Sequence, residues 1–95
     1  MQFTTALVAA MALFTGAQAA CPANGTFCGS ELVDVYQCIT AAQLQALQID
    51  IWRTDLFPTD ASGNVLKATA TCRANGCRNS NGDKNRPPTV FARCN

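Results

Sequence analysis

Apolar residues run unbroken only once in this chain, from Ala6 to Phe14 (ALVAAMALF). A run of that length suits the h-region of a secretory leader and is too short to span a bilayer. Ala17-Gln18-Ala19 follows with the small-x-small pattern that precedes leader cleavage. The expected organisation is a signal peptide over 1–19 and one exported domain over 20–95. No charged residue occurs before Glu31, and all six cysteines follow the expected cut. No later segment approaches the length of a membrane span, and the ending FARCN offers no hydrophobic tail for a glycolipid anchor.

Beyond the leader the apolar spacing changes from segment to segment. Cys21 to Cys28 (CPANGTFC) reads as a turn at Asn24-Gly25 running into a short strand. Glu31 to Cys38 (ELVDVYQC) puts Val33 and Val35 on one side and Leu32, Tyr36 and Cys38 on the other, a period-two pattern that predicts a strand. Thr40 with Gln43 forms a capping box, Ile39 and Leu44 are placed as a hydrophobic staple, and Leu44, Leu47 and Ile51 make a helical stripe. A helix is expected over 41–48, with an ambiguous exit through Trp52 because Leu47, Ile49 and Ile51 also alternate. Pro58 closes that region and residues 59–64 form a turn cluster. Val65 to Cys72 and Thr89 to Cys94 read as strands, separated by the wholly polar loop Arg78 to Arg86. The sum is an α+β domain, small and disulfide-rich, with three to four short antiparallel strands and one helix.

Composition sharpens this picture in one respect. The domain has few large apolar residues for its length, so cross-links are expected to decide whether the fold exists. Cys21, Cys28, Cys38, Cys72, Cys77 and Cys94 form an even set behind a leader, which implies three disulfides and fifteen formal pairings. Zinc is the competing use, but it favours closely spaced Cys pairs joined by His, and the chain has no His. The expected pairing is first to fourth, second to fifth and third to sixth.

Charge and chemistry add limits. A formal charge of +1 gives no reason to expect nucleic-acid binding. The acids Glu31, Asp34, Asp50, Asp55 and Asp60 precede Ala61, whereas six of the seven bases follow it. The two halves are expected to interleave so that their charges cancel locally. Without His the usual general base is missing, and Ser30, Ser62 and Ser80 lack a nucleophile-elbow context, so no enzyme activity is expected. No glycine cluster forms a phosphate loop, and no cofactor or metal is called for. Asn24-Gly25-Thr26 is an N-glycosylation sequon, although Asn-Gly also makes a plain turn. The candidate partner-contacting residues are Trp52 and Arg53 at the helix exit, and Arg78, Lys84 and Arg86 in the polar loop.

The MQFTTALVAAMALF leader, the Cys beside the cut and the short six-Cys domain resemble the small secreted cysteine-rich proteins of filamentous fungi. Adjacent Cys pairs of the hydrophobin kind are absent. The resemblance implies a secreted, non-enzymatic effector acting in the host apoplast on a host protein or a cell-wall glycan, and a monomer. The alternatives are an antimicrobial or killer-type toxin and a chitin- or glycan-binding module.

Overall fold

The computed structural model describes residues 20–95; the leader expected over 1–19 lies outside the described residues. Five short strands and two short helices follow in the order β1 (Thr26–Cys28), α1 (Gly29–Asp34), α2 (Ala41–Leu47), β2 (Asp55–Pro58), β3 (Ala70–Thr71), β4 (Cys77–Arg78) and β5 (Arg93–Cys94). β2 is the centre of an antiparallel β1-β2-β3 sheet, and β4 pairs with β5 in a separate antiparallel ribbon. The protein is thus a small disulfide-rich α+β domain, with one strand and one helix more than the pattern predicted.

The extra helix is a correction. The strand expected over 31–38 begins instead as α1, because Leu32 and Tyr36 lie four residues apart and share a face at either periodicity. What decides is the residue before them. Glu31 stands three places after Cys28, and its carboxylate accepts the Cys28 N–H at 2.9 Å, closing the first turn. Gly29 is required there, since a Cβ would collide with the Trp52 carbonyl. Gln37, at φ 55°, then ends the turn, and the Cys38 N–H reaches back to the Leu32 carbonyl at 3.1 Å.

α2 forms as its cap predicts. The Gln43 N–H donates to Thr40 Oγ1 at 3.3 Å, and the Thr40 N–H donates to Gln43 Oε1 at 3.0 Å. The helix stops at Leu47 because Asp55 Oδ2 accepts the next free N–H groups, those of Ile49 (2.6 Å) and Asp50 (3.0 Å). Ile51 therefore leaves the expected stripe and is 42% exposed.

β2 was not legible as a strand, since Pro58 stands at its end. A proline is tolerated where no ladder N–H is needed, and the register Thr26↔Pro58, Phe27↔Phe57 places two fully buried rings opposite each other. They join Leu32, Tyr36, Leu44 and Ala68 in the core, with Phe27 edge-on to Tyr36 at 5.4 Å between centroids. The strand expected over 65–72 survives as a single bridge at Val65 and as β3, with Ala68 buried and Ala70 half-buried. Of the strand expected over 89–94, only β5 is paired.

All six cysteines are bridged, so none is left as a thiolate ligand for zinc. Cys28–Cys77 joins the second to the fifth, as expected. The other two pairings differ: the structure has Cys21–Cys38 and Cys72–Cys94 in place of Cys21–Cys72 and Cys38–Cys94. The reason lies in α1. By folding 29–34 as a helix the chain doubles back early, bringing Cys38 to a Cα separation of 5.1 Å from Cys21. An extended segment would carry it away.

Candidate functional site

The polar loop after β4 is held by a buried cluster that starts in α1. The Glu31 side chain is 1% exposed yet fully engaged. Besides the Cys28 N–H it accepts the Ser80 N–H (3.1 and 3.0 Å to its two oxygens) and the Ser80 hydroxyl at 2.7 Å. The Ser80 Oγ also bonds the Tyr36 hydroxyl at 2.9 Å. A buried carboxylate is tolerable only with such a set of donors. Burial pushes the Tyr36 phenol above its usual range, and the nearby Glu31 charge adds to the rise against the lowering effect of the Ser80 hydrogen bond.

Asn81 fastens the other end of the loop. Its Oδ1 accepts the N–H groups of Thr89 (2.8 Å) and Val90 (3.0 Å), and its Nδ2 donates to Thr89 Oγ1 at 2.7 Å. Residues 82–88 are thereby enclosed between two fixed points. At the tip, backbone bonds between Asp83 and Arg86 (2.9 and 3.1 Å) close a tight turn, and Asp83 Oδ1 accepts the Asn85 N–H at 2.8 Å. Lys84 and Arg86 project from this turn over a groove of about 350 Å³ whose walls include Ala20, Pro22, Tyr36 and Pro87. The Lys84 ammonium donates to Gln37 Oε1 at 3.1 Å.

The candidate contact residues fall into three places. Lys84 and Arg86 share the groove. Arg78 is on β4, where its Nε donates to Asn95 Oδ1 at 3.1 Å. Trp52 and Arg53 lie in the connection from α2 to β2, where the Arg53 guanidinium covers the indole at 4.8 Å and pairs with Asp34 at 3.3 Å. A ring covered by a guanidinium and partly buried against the core is a poor stacking platform for a sugar. Asn24 is exposed at φ 55° in a bend, its N–H bonded to the Asp60 carbonyl at 3.0 Å; Gly25 does not share the positive φ that an Asn-Gly turn requires, so the segment is a bend rather than that turn.

Direct ion pairing between the two halves, which were expected to interleave, is limited. Among the described residues two bases have a carboxylate partner, Arg53 with Asp34 and Arg73 with Asp50 (3.1 Å), and only the second pair joins the two halves. The remaining acids are occupied otherwise: Glu31 and Asp55 by backbone N–H groups, Asp60 and Asp83 by their own turns. Asp60 accepts the N–H groups of Ser62 and Asn64, both at 2.9 Å, and the hydrogen bonds from Asn64 hold its carboxyl below the usual range.

Glu31, Ser80, Asn81 and Asp55 were not singled out in the sequence. Glu31 could have been, as the third residue after Cys28 at the start of a turn. Asn81 carries no local signal, because its partners are eight and nine residues away. Among the described residues no group of three His, Cys, Asp or Glu side chains is arranged to hold a metal ion, and no helix is long and apolar enough to cross a membrane. No protein-family model, curated protein or solved structure matches the chain.

Proposed function

We propose that the protein is an exported binding protein of the effector type, acting on a host target through the pinned loop that carries Lys84 and Arg86. Export draws on the leader-like residues 1–19 and on three disulfides, bonds typical of proteins matured in an oxidising route. Within this reading Asn24, exposed at its bend, receives an N-glycan on the way out.

The observation that carries the reading is the clasping of an exposed polar loop at both ends, by Glu31 with Ser80 and by Asn81 with Thr89 and Val90. A loop ordered before contact loses less conformational entropy on binding than a free one. Among the described residues its two cations have no carboxylate partner, which favours an acidic patch on the target.

The test is apoplastic infiltration of the oxidised protein, alone and as the K84A/R86A double variant. The wild type is expected to cause cell death or suppress defence signalling, and the double variant to lose that activity with an unchanged near-ultraviolet circular dichroism spectrum. A wild type without effect on host tissue, or a double variant of full potency, would contradict the proposal.

A toxin acting on the membranes of competing microbes is the second reading, favoured by the bases left without a carboxylate. Growth inhibition and dye release from anionic vesicles, without a host response, would select it.

A further inference from the structure

The ribbon of β4 and β5 breaks a rule of strand pairing. Arg78 and Arg93 stand directly opposite each other, and like charges across an antiparallel pair repel. The Asn95 N–H donates to the Gly76 carbonyl at 3.0 Å, which makes that neighbouring pair a hydrogen-bonded one. Alternation then makes Cys77↔Cys94 a non-hydrogen-bonded pair and Arg78↔Arg93 hydrogen-bonded, with Cα atoms about 5.5 Å apart and both side chains on one face. The opposite face is tied toward the body of the domain, since half-buried Cys77 and exposed Cys94 bridge to the buried Cys28 and Cys72. Both arginines therefore face solvent, and both are exposed.

No carboxylate lies within 4.0 Å of either guanidinium among the described residues. Arg78 is oriented all the same. Its Nε is held by Asn95 Oδ1, and the Asn95 amide is fixed in turn by donating to the Asn75 carbonyl at 3.2 Å. That leaves the two terminal nitrogens of Arg78 free to act as a fork. Arg93 adds a second fork from across the ribbon, and two disulfides hold the strands that carry them. A repulsive pair kept on a cross-linked ribbon, with one member already aimed, lacks only the anion that would sit between.

We infer that Arg78 and Arg93 form a receptor for one tetrahedral dianionic group, a phosphate or sulfate ester. The strands are two residues long, so the face accommodates a single such group rather than an extended polyanion. The inference does not depend on export or on a host target, because it concerns the oxidised domain by itself.

Inorganic phosphate at about pH 8 and low ionic strength, where it is the dianion, is the first probe, followed by nuclear magnetic resonance titration. Saturable shifts are expected at Arg78, Arg93 and Asn95, with affinity at least about tenfold weaker in R78Q and in R93Q. R73Q, which removes one charge elsewhere, is expected to bind within about twofold of the wild type. Neither exposed substitution threatens folding; without ligand, R93Q is expected to melt at or above the wild-type temperature at low salt, because a repulsion is removed. Absence of saturable shifts, undiminished affinity in R78Q and R93Q, or an equal loss in R73Q would overturn the assignment. Vesicles containing phosphatidic acid identify the carrier. Co-sedimentation abolished by R93Q assigns the group to a lipid headgroup; no co-sedimentation, with phosphate still bound, assigns it to a soluble ester.

Discussion

At the scale of single residues, Ser80 links more of the molecule than its size suggests. Its hydroxyl stands between a buried carboxylate and a buried phenol, and its backbone N–H binds the same carboxylate. Ser80→Ala takes away the hydroxyl alone, leaving the Tyr36 O–H unpaired and Glu31 with one donor fewer. The expected loss is about 2 kcal/mol of unfolding free energy, measured in urea, because a bond to a charged group is lost in a buried setting. A loss below about 0.5 kcal/mol would show that water replaces the hydroxyl without cost.

Titration extends the same argument. The Tyr36 phenol ionises above the ordinary phenol value of 10.0 in the folded protein, so on raising the pH the unfolded chain gives up its proton first. Stability from this group is complete below that value and declines as pH climbs from it through the folded pKa. Asp60 behaves in the opposite sense. Its carboxyl is lowered from 3.8, so its contribution is complete above that value and is lost as pH falls through the folded pKa. Denaturant melts across pH are expected to show the alkaline decline flattened in Tyr36→Phe and the acid decline flattened in Asp60→Asn. Unchanged limbs in both variants would remove these groups from the account.

At the scale of elements, the disulfides are ranked by the loops they close. Cys28–Cys77 spans 49 residues, against 17 for Cys21–Cys38 and 22 for Cys72–Cys94. On the chain-entropy model, double Cys→Ala replacement is expected to cost about 4 kcal/mol for the long bridge and about 3 for each short one. Equal or reversed losses in denaturant would mean that packing around each bond outweighs loop length. The element pattern also explains what could be read in advance. α2 was legible because its cap and its start both lie in Thr40–Leu44, within one turn. α1 was not, because the residues that choose helix over strand there are Gly29, pressed against Trp52, and Glu31, whose carboxylate is satisfied by Ser80 far along the chain. β2 was hidden by Pro58 and by Asp55, which works as a cap for the preceding loop as well as a strand residue. Of the candidate contact residues, Lys84 and Arg86 were legible as a polar tip. Arg93 was not, since only the register shows what it faces.

At the scale of the whole molecule, few acids are left to answer the bases on the surface, and the cause is structural. A domain with little apolar interior has spent carboxylates on ordering its own backbone: Glu31 at the start of α1, Asp55 at the end of α2, Asp60 and Asp83 in turns. Among the described residues the bases that follow Ala61, Arg73 apart, are thereby left without a carboxylate partner, and disulfides take the load that a larger core would carry. This division of labour makes a direct test possible. Full reduction and alkylation of the six cysteines at neutral pH, followed by near-ultraviolet circular dichroism through a thermal scan, measures whether the interior stands by itself. The account predicts loss of the aromatic signal and of any cooperative transition. A reduced chain that keeps both, melting cooperatively within a few degrees of the oxidised protein, would contradict it.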